Sequence, residues 1–306
     1  MASVERRERR QPDWSQAGIA HVETTDQDHR DTRPGGDALP RYLVEHLPQA
    51  EVTQLVDDPI IVQHWIEQQK RRHLLLTSSS HKVTAYVQEA LEQSLGWGMK
   101  NRAILAFDHH SDMENIETGK TNIYVSKSNV MQYVLEHKLA DAVAVLGTHP
   151  IFLERTPKDQ RKHQYDIVSG RDLYSGEKPD KAKLLATLDE IFSQWQAQGI
   201  REVYVSVDLD GLRLPEQLYT GVDYYPLTKD PYYGLPASWI PTAMHHARTK
   251  YGLHLGVRNP RTGQQFVGDV VEYNLPDERQ RTARIAKHIL GAMLAEVQQD
   301  PIQRPT

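Results

Sequence analysis

The sequence predicts an α/β fold in which helices cover both faces of a mostly parallel sheet. Strand-like and helix-like stretches alternate along the chain, and the strand-like stretches are continuous apolar runs rather than alternating patterns. Such runs are typical of parallel strands that are buried on both faces. Polar clusters directly follow several of these runs, and ligands of open parallel sheets bind at the carboxyl ends of strands.

Five apolar runs are predicted as strands, because each is short and is bounded by polar or turn-forming residues. They are residues 73–79 (HLLLTSS), 103–107 (AILAF), 141–147 (DAVAVLG), 202–207 (EVYVSV) and 265–274 (QFVGDVVEYN).

Five segments are predicted as helices from apolar residues that recur at helical spacing. Gly199 stops the third helix, and Pro276 opens the last one, whose inward side chains include Ile285 and Leu290. The segments are residues 81–95, 129–139, 181–199, 241–252 and the stretch that follows Pro276.

Composition predicts a cytoplasmic protein in which one domain follows a polar N-terminal arm. Residues 1–38 are polar and are predicted to form a flexible or loosely attached arm, and residues 39–306 a single domain. The net charge of −5 gives no global attraction to nucleic acid, and no apolar run is long enough to cross a membrane. The chain has no cysteine, so a metal ion can be held only by His, Asp and Glu.

Polar clusters follow three of the predicted strands. His81 follows the first strand, Asp108, His110 and Asp112 follow the second in the segment FDHHSD, and Asp208 and Asp210 follow a later one in VSVDLDG. Residues i and i+2 of an extended segment point to the same side of the chain. Asp108 can therefore converge with His110, and Asp208 with Asp210.

The combined set of two imidazoles and four carboxylates predicts a binuclear metal site. Mixed nitrogen and oxygen ligands suit Mn²⁺ better than Zn²⁺, and four negative charges balance two divalent ions. Iron or cobalt could also bind this set. The alternative interpretation is that these residues are loop residues or helix caps. That could explain any one of the motifs, but it does not account well for all of them following strands of one sheet.

Two of these motifs resemble signatures of the arginase, agmatinase and deacetylase superfamily. DHHSD resembles its D-A-H-x-D motif and SVDLDG its S-x-D-x-D motif, and DVVEYN resembles its late strand. His81 in SSSH matches the histidine of the G-G-D-H segment, although the preceding glycines and aspartate are absent. The resemblance covers about residues 70–295 and implies a three-layer α/β/α sandwich that holds two Mn²⁺ ions.

The same resemblance implies roles for individual residues. One ion takes His81, Asp108, Asp112 and Asp208, the other His110, Asp108, Asp208 and Asp210, while His109 is no ligand. Having both Asp112 and Asp210 favours the ureohydrolase branch, which cleaves a guanidinium group into an amine and urea. Glu272 of the late strand is expected to contact the substrate guanidinium.

Departures from the family pattern favour arginine within a peptide as the substrate. Arginases that act on the free amino acid hold its α-groups with an acidic segment, where this chain has His149 and Pro150. The segment 218–234 is rich in tyrosine. Tyr224 and Tyr225 are predicted to line a peptide groove or, equally, to pack the loop itself or form an oligomer contact. The chain resembles peptide arginases, which convert arginine to ornithine in ribosomally made precursor peptides.

The sequence leaves open alternatives for the function, for the role of His149 and for the oligomeric state. A hydrolase of agmatinase type that acts on a small guanidino compound, and an inactive metal-binding protein on the same fold, are the two other hypotheses. The family's proton-shuttling histidine has no match at residues 126–129, and His149 could replace it or be a surface histidine. The expected partner is an arginine-containing precursor peptide, and a homo-oligomer is open because family members commonly assemble.

Overall fold

The structure is a computed structural model, and it describes residues 11–23, 38–94, 101–113, 125–126, 128–155, 165–212, 234–259, 261–272 and 281–299. Twelve strands lie in these ranges: β1 Ala17–Glu23, β2 Glu51–Val56, β3 His73–Ser78, β4 Arg102–Phe107, β5 Ala142–Thr148, β6 Tyr165–Ser169, β7 Tyr174–Ser175, β8 Lys178–Pro179, β9 Glu202–Asp208, β10 His254–Leu255, β11 Val257–Arg258 and β12 Gln265–Val271.

One large sheet organises the described residues. Its main strands lie in the order β2-β1-β3-β12-β9-β4-β5-β6, and all the neighbours on this path pair in parallel. The short β10 joins β9, and β11 pairs antiparallel with β12. Every residue of β3, β4, β5 and β12 is buried, which explains why these strands are continuous apolar runs in the sequence.

Helices cover the sheet on both faces and complete the three-layer sandwich. One apolar core lies between the sheet and helices α1, α6, α7 and α8, and the other between the sheet and helices α2, α3 and α4. The helices are α1 Ala38–His46, α2 Pro59–Gln68, α3 Lys82–Glu89, α4 Val130–Glu136, α5 Pro150–Arg155, α6 Lys181–Ala197, α7 Trp239–Tyr251 and α8 Arg281–Val297.

Local sequence signals set several helix ends. The Asp58 carboxylate accepts a hydrogen bond from the Ile60 amide at 2.7 Å, and Asp180 accepts one from the Ala182 amide at 2.9 Å, so α2 and α6 begin with capped first turns. Helix α7 ends at Gly252, whose φ of 63° is the left-handed conformation that glycine adopts without strain.

The predicted fold class is confirmed, and the predicted strands correspond to β3, β4, β5, β9 and β12. The predicted helices correspond to α3, α4, α6, α7 and α8, although α3 ends at Glu89 and a π-helical turn continues to Ser94. Pro276 lies outside the described residues. None of the described helices is both long and apolar enough to cross a membrane.

The predicted boundary of the N-terminal arm is wrong for residues 17–23. These residues form β1, which lies between β2 and β3 inside the sheet, and Ile19 is fully buried there. The run AGIAHV is short, contains a glycine and a histidine, and is flanked by polar segments. Its composition therefore does not predict a buried strand. The order of strands in the sheet, rather than local hydrophobicity, makes this segment part of the core.

We expect Ile19→Ala to lower the free energy of unfolding by about 2–5 kcal/mol, because it removes a fully buried side chain from the interior of the sheet. Urea unfolding followed by circular dichroism measures the change. Val44→Ala on α1 is the control, since Val44 is 56% exposed and its loss should change stability by less than about 0.5 kcal/mol. Equal stability of the Ile19 variant and the wild type would restore the interpretation of residues 17–23 as a loose arm.

Candidate metal centre

Four neighbouring strands deliver the candidate ligands to one place. In the sheet order β3-β12-β9-β4, His81 follows β3, Glu272 follows β12, Asp208 ends β9, and Asp108 follows β4. Because these strands are parallel, their carboxyl ends lie along the same edge of the sheet. The side chains of these residues therefore meet although they are far apart in sequence.

The first group of candidate ligands surrounds Nδ1 of His81. This atom lies 2.7 Å from Oδ2 of Asp112, 3.2 Å from Oδ2 of Asp108 and 3.5 Å from Oδ2 of Asp208. All four side chains are almost completely buried. The structure thus brings together the four residues that the family resemblance assigns to one ion.

The second group surrounds Nδ1 of His110. This atom lies 3.0 Å from Oδ2 of Asp210 and 3.7 Å from Oδ1 of Asp108. Asp108 belongs to both groups, with one carboxylate oxygen toward each histidine. A carboxylate with this arrangement is suited to bridge two cations.

Tight turns, rather than extended backbone, bring the paired motif residues together. Oδ1 of Asp108 accepts a hydrogen bond from the His110 amide at 2.7 Å, and Oδ1 of Asp208 accepts one from the Asp210 amide at 2.9 Å. Residues 209–211 form a 3-10 turn. Asp208 and Asp210 therefore lie close together as predicted, but the backbone between them is a turn and not the predicted extended segment. Gly211 permits this turn, since a Cβ there would lie 2.8 Å from Cα of Asp108.

Asp112 has an unusual backbone conformation. Its φ of 51° lies in the left-handed region, and its carbonyl oxygen accepts hydrogen bonds from the amides of Met131 and Gln132 in the first turn of α4. Strained residues of this kind persist where surrounding contacts hold them, and they cluster at functional sites. Helix α4 therefore fixes the position of this carboxylate.

The first group fits a metal ion. Nδ1 of His81, Oδ2 of Asp108 and Oδ2 of Asp112 are buried, and within the described part of the chain none of them makes a hydrogen bond of good geometry. Buried polar atoms almost always find partners, so three such atoms that converge form a donor set for a cation. Imidazole nitrogen and carboxylate oxygen are ligands for hard and borderline divalent metals.

The ion-free site is strongly charged, and its histidines hold protons. Burial opposes the charged form of His81, but Asp112 and Asp108 outweigh it and hold the pKa of His81 well above its usual value. His110 is affected in the same way: burial is outweighed by Asp210 and Asp108, and its pKa is raised. An ion that binds here must displace these protons.

Two of the carboxyls also favour protonation in the absence of an ion. Burial, together with the charge of Asp108, raises the pKa of Asp112 to about 6. Burial and the charges of Asp210 and Asp108 raise the pKa of Asp208 well above its usual value. Asp108 differs: burial acts to raise its pKa, but the neighbouring imidazoles of His110 and His81 outweigh burial and lower the pKa.

Glu272 lies beside the first group. It is 2% exposed, has a left-handed φ of 61°, and its Oε1 accepts a hydrogen bond from the backbone amide of His81 at 3.2 Å. The carboxylate also contributes to the raised pKa of Asp208, which places its charge close to the candidate ions. The structure therefore brings the predicted substrate-binding acid to the metal centre.

His149 lies on the other side, at the second group. Its backbone amide donates to the His109 carbonyl at 2.9 Å, and the two imidazole centroids are 5.1 Å apart. Phe152 packs beside them, with its ring centroid 4.4 Å from that of His110. Burial lowers the pKa of His109 to about 4, so this imidazole is neutral near pH 7. Tyr224 and Tyr225 lie outside the described residues.

Sequence reasoning missed three polar residues beneath His81. Asp269, Ser206 and Thr84 are fully buried and connected by hydrogen bonds. The available signal was an aspartate inside the apolar strand QFVGDVV, since a carboxylate is rarely buried without partners. The sequence alone does not reveal which residues those partners are.

Comparison with known proteins shows the family of this chain. The sequence model of the Arginase family matches residues 46–216. The chain therefore belongs to the arginase family, which makes it a hydrolase that acts on amidines. No curated protein matches the sequence.

Solved structures show the same fold at low sequence identity. Agmatine ureohydrolase of Thermoplasma volcanium has a TM-score of 0.58 at 14% identity, and the alignment covers 94% of this chain and 92% of that one. Proclavaminate amidino hydrolase from Streptomyces clavuligerus has a TM-score of 0.59 at 18% identity, covering 94% and 95%. A variant of Trypanosoma cruzi formiminoglutamase with Mn²⁺ has a TM-score of 0.60 at 12% identity, covering 97% of each chain.

We expect metal binding to release protons and to weaken as the pH falls. The raised pKa values of His81 and His110 mean that the ion-free site holds protons at pH 7, and lowering the pH favours that protonated state further. Each displaced proton makes affinity fall by about tenfold per pH unit. Calorimetric titration with MnCl₂ between pH 6 and 8, in buffers of different ionisation enthalpy, measures both effects.

The control for this experiment is His245→Gln, which removes an exposed histidine of α7 and should leave proton release unchanged. Affinity that does not vary between pH 6 and 8 would show that ions bind elsewhere.

Proposed function

We propose that this chain is a binuclear manganese hydrolase that converts arginine side chains within a peptide to ornithine and releases urea. One observation supports the peptide substrate above the others. Residues 146–153, which lead from β5 into α5 beside the candidate metal centre, contain no carboxylate and place His149 and Phe152 against His109 and His110. Residues 146–153 therefore offer no anion that could pair with the ammonium group of a free amino acid. An arginine in peptide linkage has no such ammonium group and does not need one.

The proposed ion ligands follow the two groups around the histidines, and the family resemblance adds Asp208 to the second group as a shared ligand. His81, Asp108, Asp112 and Asp208 would hold one ion, and His110, Asp108, Asp208 and Asp210 the other. Manganese is favoured by the hard mixture of imidazole and carboxylate ligands. When bound, two divalent ions supply a water molecule of lowered pKa near neutral pH.

The chain's own residues would orient the substrate and supply a proton. Glu272, fixed by the His81 amide, would pair with the guanidinium cation and set its plane. Hydrolysis joins the water oxygen to the guanidinium carbon, breaks the bond from that carbon to the side-chain Nε, and leaves a proton on the departing amine. We propose His149 as the donor of that proton, since it is a partly buried imidazole next to the candidate ligands.

The peptide itself would need a longer contact surface. We propose that Tyr224 and Tyr225 contribute to it, on the basis of the tyrosine-rich segment that follows the Asp208 motif. Aromatic side chains of this kind supply contact area at a low cost in conformational entropy.

A second candidate function is hydrolysis of a small guanidino compound. It is favoured by the similarity to agmatine ureohydrolase and to proclavaminate amidino hydrolase, which extends over most of both chains. An inactive metal-binding protein is a weaker candidate, because all six predicted ligands are present and meet in the structure.

The substrate class can be tested by mass spectrometry. Incubation of the manganese-loaded protein with an arginine-containing peptide should lower the peptide mass by about 42 Da per arginine, the mass of the CH₂N₂ lost when ornithine forms. The same peptide with lysine in place of arginine should not change. Urea release from agmatine or free arginine without any change in the peptide would instead support the small-molecule function.

Two variants should separate substrate binding from proton transfer. Glu272→Gln keeps the size of the side chain but removes its charge, so we expect KM to rise by about tenfold or more while both ions remain bound. His149→Ala should lower kcat by about 100-fold with little change in KM, and added imidazole should restore part of the rate. Wild-type kinetics in the His149 variant would remove this residue from the mechanism.

A further inference from the structure

A buried carboxylate lies behind the first group of candidate ligands. Asp269 of β12 is fully buried and accepts three hydrogen bonds from hydroxyl groups. Ser206 donates at 2.6 Å to Oδ1, while Tyr204 and Thr84 donate to Oδ2 at 2.7 and 2.8 Å. Burial raises the pKa of this carboxyl, and the hydroxyl hydrogen bonds act against that shift. No described Lys or Arg forms an ion pair with Asp269, so these hydroxyls are its main polar partners.

The hydrogen bonds of Ser206 have a defined direction. A serine hydroxyl carries a single hydrogen, and a carboxylate can only accept, so the Ser206 hydrogen points to Asp269. The Ser206 oxygen also lies 3.0 Å from Nε2 of His81, on the opposite side from the candidate ions. With its hydrogen already used, this oxygen can only accept from the imidazole.

The direction of this bond determines the chemical form of His81. In the neutral imidazole, the form that can bind an ion, Nε2 must carry the hydrogen, which leaves Nδ1 as the ring atom with a free lone pair. Nδ1 is the atom that lies 2.7–3.5 Å from Asp112, Asp108 and Asp208. We propose that Asp269 is a positioning residue that acts through Ser206 to hold His81 in the tautomer able to bind a metal ion at Nδ1.

This inference rests on the ion-binding part of the proposed function and is independent of the substrate. It concerns one of the two ions only. His110, at the other ion, has no described contact with Asp269, so an effect confined to the His81 side distinguishes positioning from a general loss of structure.

The sharpest test is Asp269→Asn, which is nearly isosteric. The amide oxygen should take the Oδ2 position, since Tyr204 and Thr84 both donate there, and the amide NH₂ should then face Ser206. Ser206 would accept from that NH₂ and turn its own hydrogen toward Nε2 of His81. The imidazole hydrogen is thereby moved to Nδ1, where it blocks the ion.

A second variant and a control complete the design. Ser206→Ala removes the link but keeps Asp269, so it should weaken the same ion even if Asp269→Asn does not fold. Tyr204→Phe removes another hydroxyl from the same buried carboxylate without touching the bond between Ser206 and His81. It should keep both ions with affinities within about threefold of wild type.

Binding is measured by titrating each full-length protein with MnCl₂, following free Mn²⁺ by electron paramagnetic resonance, and anomalous diffraction locates the bound ions. We expect the His81-side ion to bind about 10- to 100-fold more weakly in Asp269→Asn and Ser206→Ala, with the His110-side ion retained. Equal affinities in these variants and wild type would overturn the inference and leave the proposed function intact. Equal losses in Tyr204→Phe would also overturn it, and a wild type that binds no Mn²⁺ would contradict both proposals.

Discussion

The structure depends on the close approach of four buried carboxylates at the ends of neighbouring parallel strands. Asp108, Asp112, Asp208 and Asp210 are each at most 5% exposed, and two histidines lie between them. Like charges in a buried site repel unless protons or cations neutralise them. The raised pKa values of several of these groups show protons taking that role in the ion-free chain. The clustered carboxylates therefore form a site that could hold divalent cations.

The surrounding fold holds this arrangement in place at several levels. Strands β3, β12, β9 and β4 set the spacing, tight turns direct the aspartates inward, and helix α4 fixes Asp112. The left-handed backbone of Asp112 and Glu272 adds local strain that packing on both faces of the sheet must offset. Beneath the ligands, Asp269 and three hydroxyls form a polar layer inside an otherwise apolar sheet. The strands β3, β12, β9 and β4 thus contribute both to the buried core of the fold and to the position of the candidate ligands.

The two sides of the site differ in chemistry, and this difference bears on the substrate. Glu272 provides an anion on the His81 side, where it can meet a guanidinium group. On the His110 side the neighbours are His109, whose imidazole is neutral near pH 7, and the rings of His149 and Phe152. The substrate that we propose, an arginine side chain within a peptide, has a single cationic end and a neutral remainder.

The sequence by itself determined the fold class and the main strands, and it singled out the residues that meet at the candidate metal centre. Continuous apolar runs mark strands buried on both faces, and the motifs around Asp108 and Asp208 directly follow such runs. Strand β1 was hidden, because its short run AGIAHV is buried only through its position between β2 and β3. The tertiary structure alone decided how Asp208 and Asp210 converge through a turn, and how Asp269 reaches His81 through Ser206. The two contacts of Ser206 join residues that are 125 and 63 positions apart in the sequence. Which residues meet over such separations depends on strand order, which no local pattern in the sequence encodes.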